Sequence, residues 1–328
     1  MSDDRPTPAG VRDAAARIKG AAILTPLLEN EWLNARAGGR VLMKAESLQH
    51  AGSFKFRGAM TRLSRLAPDA RARGVLAFSS GNHAQGVARA ARLYETQSVI
   101  VMPKDAPALK VAQVRAYGGE IVFYDRYTED REAIGGAIAA ARGLALAPPF
   151  DHVDTIEGQG TVALEAAAQG LAMGVTLDAF LVCCGGGGLT AGCATILEEI
   201  SPKTEIMIAE PAGFDETWAS IRMGARQKAD PAARTICDAL ASPMPGAITF
   251  PILKRRVTQG FAVTDDEVLE TLAWAFKYLK LVLEPGGAAA LAAVYHGKVR
   301  PSGGAIAITL SGANVDPPLF AGALSRFG

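Results

Sequence analysis

Four successive glycines, Gly185 to Gly188, stand between an apolar, strand-like run at residues 177–183 and a helix-patterned segment. A strand that enters a helix through bare backbone is an α/β unit. With no β-carbons in the way, several N–H groups can converge on an anion while the helix dipole adds favourable charge. A tight turn with no ligand is the alternative. A similar unit occurs earlier, where a strand at 74–78 leads through Ser79-Ser80-Gly81-Asn82-His83 into a helix at 87–94. That polar turn suits a phosphate or a substrate carboxylate, or is an ordinary cap made by Ser79 or Ser80. Strands at 98–102, 120–124 and 205–209 alternate with helices at 108–117 and 129–141, which predicts mainly parallel sheets flanked by helices.

A second motif precedes these units. Ser53-Phe54-Lys55-Phe56-Arg57-Gly58-Ala59 sets one lysine between two aromatics, just ahead of a helix pattern at 56–66 that stops at Pro68. Apolar neighbours disfavour the ammonium and leave an amine able to attack a carbonyl. The alternative is a half-buried strand with Lys55 pointing to water. His83 has no partner histidine nearby and reads as a helix residue rather than a metal ligand.

Composition narrows the chemistry. The 328 residues are about two domains' worth of chain, and 49% hydrophobic content supplies a core. Thirty-four basic residues against 33 acidic ones give no surplus for nucleic acid or an anionic membrane. Cys183, Cys184, Cys193 and Cys237 lack paired-ligand spacing and read as reduced, buried thiols. No apolar signal core or membrane span is visible, so the cytoplasm is expected.

The glycine run leaves two ligand classes open. Gly186, Gly188 and Ala191 fit a loose dinucleotide turn, with Glu210 placed as a ribose partner; an NAD-dependent dehydrogenase would follow. That reading leaves Lys55 and the Ser-Ser-Gly-Asn turn unused. Taken together, the motifs resemble the pyridoxal-phosphate enzymes of the tryptophan synthase β fold, fold type II, in the serine/threonine dehydratase and serine racemase branch.

The resemblance implies a role for each motif. Lys55, beside Phe54, would be the Schiff-base lysine. Ser79, Ser80, Gly81, Asn82 and His83 would hold the substrate carboxylate, with Asn82 also at the cofactor ring. Gly185, Gly186, Gly187, Gly188 and Leu189 would cradle the cofactor phosphate. Ser311, in the run 306–314, would face the ring nitrogen, and Glu284 would lie near the ring. Lys55 freed from the cofactor would act as base at Cα, with Ser80 as the opposite acid/base if the chain racemises. The implied reaction is β-elimination from serine, threonine or 3-hydroxyaspartate to a 2-oxo acid and ammonia. A serine or aspartate-type racemase is the alternative, and a non-enzymatic pyridoxal-phosphate protein is a third class.

Further implications are a magnesium or calcium ion at Glu210, the Phe214 carbonyl and Glu216, although a capped acidic loop would give the same sequence. Arg131, with Arg126 nearby, is placed at the substrate entrance, where a second carboxylate would bind; a helix-surface arginine is the plainer reading. The expected layout is a large cofactor-binding domain, residues 1–52 and 147–328, with a small domain, 53–146, inserted. A homodimer is expected. The chain ends soon after residue 316, so no regulatory domain or end-product feedback is expected.

Overall fold

In the computed structural model, which describes residues 5–125 and 127–328, the alternation resolves into two mainly parallel sheets. Arg126 lies outside the described residues. The larger sheet has the order β1 (Leu27–Glu29), β2 (Arg40–Lys44), β10 (Ala305–Thr309), β7 (Leu177–Cys183), β8 (Glu205–Pro211) and β9 (Val257–Val263). Only β1 runs antiparallel to its neighbour. The smaller sheet, β5 (Glu120–Tyr124), β4 (Ser98–Pro103), β3 (Val75–Phe78) and β6 (Ala145–Leu146), is parallel throughout.

The centre of the larger sheet is dry. Every residue of β10 is buried, and so is β7 apart from Asp178. Parallel strands covered by helices on both faces carry unbroken apolar runs rather than alternation. Ile308 of β10 lies beside Leu181 of β7 in parallel register, so both strands leave the sheet at the same edge. That edge is where the Gly185 loop and Ser311 begin, the usual place for a ligand in an open α/β sheet.

Several boundaries differ from expectation for identifiable reasons. The apolar spacing of residues 11–21 predicts the first helix there, but it forms at Pro8–Ile18, because Thr7 caps it by accepting from Gly10 N (2.9 Å) and Pro8 occupies its first turn. The residues Pro285-Gly286-Gly287 favour a turn, but they open a helix, Pro285–Tyr295, that is buried on every side. Thr264-Asp-Asp-Glu267 predicts a capping box ahead of a helix reaching residue 280; the box forms, but the helix ends at Trp274 in a π-helical turn, Ala275–Leu279, before Lys280 at φ 60°. Among the described residues no helix is long and apolar enough to cross a membrane.

Candidate active site

Lys55 is the first residue of the Lys55–Arg65 helix. A bridge pairs Ser53 with Gly312, and Phe54 N donates to Ser311 O (3.3 Å), which pins the helix start against the exit of β10. Phe56 is fully buried and Phe54 half-buried, so the lysine leaves its helix from apolar surroundings. Its Nζ donates to Pro149 O (2.7 Å). Loss of water around the amine lowers its pKa to about 8, and the charge of Glu284 partly opposes this. The half-buried strand with an outward lysine is therefore not what forms.

Opposite, β3 ends in the polar turn, and the Asn82–Leu93 helix follows. Ser79 Oγ accepts from Gly81 N (3.2 Å), and Ser79, Ser80 and Gly81 are half-buried. Asn82 is buried and held from two sides. Its Oδ1 accepts from Asn314 Nδ2 (2.7 Å), which also donates to Ala51 O (2.8 Å); its own Nδ2 donates to Glu284 Oε1. His83 Nε2 lies 2.7 Å from Ala147 O. A carbonyl only accepts, so Nε2 carries the proton and the buried Nδ1, which has no partner, is an acceptor. Burial and then the Lys55 charge lower the His83 pKa to about 3, which keeps the ring neutral.

Glu284 stands at the N-cap of Pro285–Tyr295, and its N donates to Gly312 O (3.1 Å). Burial lifts its carboxyl to about 7; the Lys110 charge opposes the rise and the Asp238 charge adds to it. Its Oε2 has no partner.

The glycine loop follows β7 and opens the Gly188–Ile200 helix, whose N-cap, Gly187, has φ 89° and supplies no side chain. A β-carbon at Gly186 would lie 2.6 Å from the Phe150 ring, and one at Gly187 2.7 Å from Leu253 Cδ1. The packing therefore demands bare backbone. Thr217 Oγ1 donates to Gly185 O (3.1 Å) and Thr249 Oγ1 to Gly186 O (2.8 Å). With those carbonyls occupied, the helix-end N–H groups remain for an anion. Leu189 is buried beneath the loop, and Ser311, also buried, has its N on Gly287 O (3.1 Å).

Glu210, at the end of β8, accepts from Thr217 N (3.1 Å) and Trp218 N (2.9 Å) and is fully buried. A carboxylate turned inward in this way does not serve a ribose, which removes the acidic residue the dinucleotide reading required. Glu216 opens the Glu216–Met223 helix, buried with neither oxygen partnered, and burial lifts its pKa to about 7. Phe214 N donates to Pro211 O (2.9 Å), and Asp215 supplies no side-chain cap. Among the described residues no group of three or more His, Cys, Asp or Glu is arranged around a metal position. Arg131 is exposed on the first turn of Arg131–Arg142, and no hydrogen bond or ion pair joins it to Lys55, Asn82 or Glu284.

A family model described as "Pyridoxal-phosphate dependent enzyme" matches residues 18–312. The chain belongs to that family. It is 42% identical over 311 residues to an L-threo-3-hydroxyaspartate ammonia-lyase of a Pseudomonas species, covering 95% of this chain and 96% of the relative. Among solved structures, a threonine deaminase of T.th. superposes with a TM-score of 0.89 at 41% identity, covering 95% of this chain and 99% of that one. Maize serine racemase superposes at 0.91 and 33% identity, covering 98% and 97%. The fold is that of the fold type II pyridoxal-phosphate enzymes.

The residues fit the cofactor. A glycine loop that admits no side chains opens a helix without a side-chain cap, and the buried acceptors His83 Nδ1 and Glu284 Oε2 stand unpartnered near a low-pKa lysine. Phe150, Thr217, Thr249, Asn314 and Lys110 join the site only through the fold. Lys110 carried a signal, because it shares the inward stripe of the Ala108–Ala116 helix with Val114, a position where an apolar residue is expected.

Proposed function

We infer that the chain is an ammonia-lyase that uses pyridoxal phosphate to eliminate the β-hydroxyl of L-threo-3-hydroxyaspartate, releasing oxaloacetate and ammonia. One observation carries the lyase reading: a buried lysine, Lys55, lies where the exit of β10 meets the start of its helix in a chain 42% identical to an ammonia-lyase. The substrate comes from the Pseudomonas relative. Bound pyridoxal phosphate would withdraw electrons from Cα and make its proton removable. Lys55 holds the cofactor, with Phe54 beside it and Gly185 to Leu189 at the phosphate. Ser311, Glu284 and Asn82, the last oriented by Asn314, would hold its ring. The Ser79 to His83 turn takes the α-carboxylate.

In the reaction the neutral Lys55 amine would accept the Cα proton, and the ammonium so formed would give a proton to the adjacent hydroxyl, which leaves as water; the released enamine tautomerises to an imine, and water hydrolyses it to oxaloacetate and ammonia. A hydroxyl at Ser311, rather than a carboxylate, does not enforce a protonated ring nitrogen, which favours loss of the β-group over reprotonation. Ser80 is the candidate second acid/base. The likeness to maize serine racemase makes racemisation a measurable side activity, which Ser80→Ala would remove while leaving elimination.

The partnerless Glu216 carboxylate beside buried Glu210 supports a magnesium or calcium ion held with the Phe214 carbonyl. The division into a small domain, 53–146, and a large one is supported by the smaller sheet, whose strands span 75–146. Exposed Trp32, Phe276 and Tyr278 support a homodimer, and four free, buried thiols support a cytoplasmic location. Product analysis with L-serine, L-threonine and the 3-hydroxyaspartate stereoisomers tests the substrate. Oxaloacetate as the dominant product supports the reading; pyruvate from serine alone, with hydroxyaspartate untouched, contradicts it.

A further inference from the structure

A lysine buried on an inward helix face, where no sequence pattern asks for one, needs a reason to be there. Lys110 is 4% exposed, and its Nζ donates to Asp238, whose side chain is half-exposed. Among the described residues its ammonium makes no second hydrogen bond, although the group has three donors. A β-carbon at Gly81, in the turn that takes the α-carboxylate, would lie 3.9 Å from this Nζ. The chain following Asp238 is part of the same wall. Leu240 closes over Gly185, and a β-carbon at Gly286 would lie 3.2 Å from Ala239 Cβ. Lys110 therefore reaches across the cleft from the Ala108–Ala116 helix, between the carboxylate turn and the glycine loop.

We propose that Lys110 is the specificity residue that receives the distal carboxylate of a dicarboxylic substrate, with Asp238 occupying the ammonium until that carboxylate arrives. This inference rests on the substrate reading above. In 3-hydroxyaspartate the second carboxylate is attached to Cβ, so with the α-carboxylate on the Ser79 to His83 turn it falls on the neighbouring wall. The cation on that wall is Lys110, whereas Arg131 faces solvent. Serine and threonine bring no carboxylate, leave the Lys110–Asp238 pair intact and gain nothing from it. The electrostatic influence of both Lys110 and Asp238 on Glu284 agrees with their nearness to the reacting centre.

Two substitutions with opposite expected signs test this. In Lys110→Met, kcat/KM for 3-hydroxyaspartate should fall about 100-fold, as expected for loss of a buried charge contact, while turnover of serine or threonine changes by less than about threefold. In Asp238→Asn, which frees the ammonium, KM for 3-hydroxyaspartate should not rise. A pair that only holds the cleft shut would instead lower turnover of every substrate equally in both variants, and that result overturns the proposal. Calorimetric titration of the holoenzyme with succinate and with propionate decides the matter independently of turnover. Succinate should bind the wild type at least about tenfold more tightly than Lys110→Met, and propionate should bind both alike. Equal succinate binding, or none to either protein, overturns the role of Lys110. A wild type that binds succinate but leaves 3-hydroxyaspartate unreacted contradicts only the substrate reading.

Discussion

At the scale of single residues the decisive quantity is the proton on Lys55. Desolvation brings its pKa to about 8, so it is an ammonium below that pH and a free amine above it. Capture of pyridoxal phosphate needs the lone pair. The uptake rate of cofactor-free protein should therefore rise about tenfold per pH unit below 8 and level off above it, as read from the growth of visible absorbance. Asn314 acts one step back, fixing the Asn82 amide by donating to its oxygen. Asn314→Ala should weaken cofactor binding about tenfold without lowering the melting temperature by more than a few degrees, measured by equilibrium titration and calorimetry. Lys55, Asn82 and Ser311 were recognisable as candidates because each lies in a contiguous motif that resembles one of the family's. Asn314 was not, and Lys110 was marked only by its place on an inward helix stripe, since the partners that give both their meaning, Asn82 and Asp238, lie more than one hundred positions away.

Elements bring those residues together, and the Lys55–Arg65 helix is tied down by a charged network beneath it. Arg57, fully buried, binds Glu46 (2.7 Å) and Glu165 (2.7 Å), and Lys44 of β2 binds the same Glu165 (2.7 Å). Arg57→Met would leave Glu46 buried without its guanidinium. It should cost about 3–5 kcal/mol in urea unfolding, with part of the loss recovered by adding Glu46→Gln. The glycine loop is equally intolerant: Gly187→Ala places a β-carbon at φ 89° against Leu253. It should weaken cofactor affinity about tenfold, the equivalent of about 1–2 kcal/mol of left-handed strain. The strands with unbroken apolar runs were readable before the structure. β9 was not, because Gly260 interrupts it to accommodate Trp218, and the Pro285–Tyr295 helix was not, because burial on every side erases the amphipathic period.

Over the whole molecule, the turn after β3 of the smaller sheet meets the ends of the larger sheet through Asn82, Glu284 and Asn314. All four cysteines are free and buried, and burial pushes the thiols of Cys183, Cys184, Cys193 and Cys237 above the ordinary cysteine range. A thiol reagent should label none of them in the native protein and all of them after denaturation, counted by absorbance. The fold class followed from the alternation of strand and helix, whereas the meeting of Ser53 with Gly312, which sets Lys55 in place, is a tertiary contact that no local pattern encodes. Elimination by this site requires that Lys55 carry the cofactor. Purified protein should show a visible band with pyridoxal phosphate that borohydride abolishes, and peptide mapping should find the reduced cofactor on Lys55. A protein that stays colourless, or one labelled at another lysine while Lys55→Ala keeps full elimination activity, would contradict it.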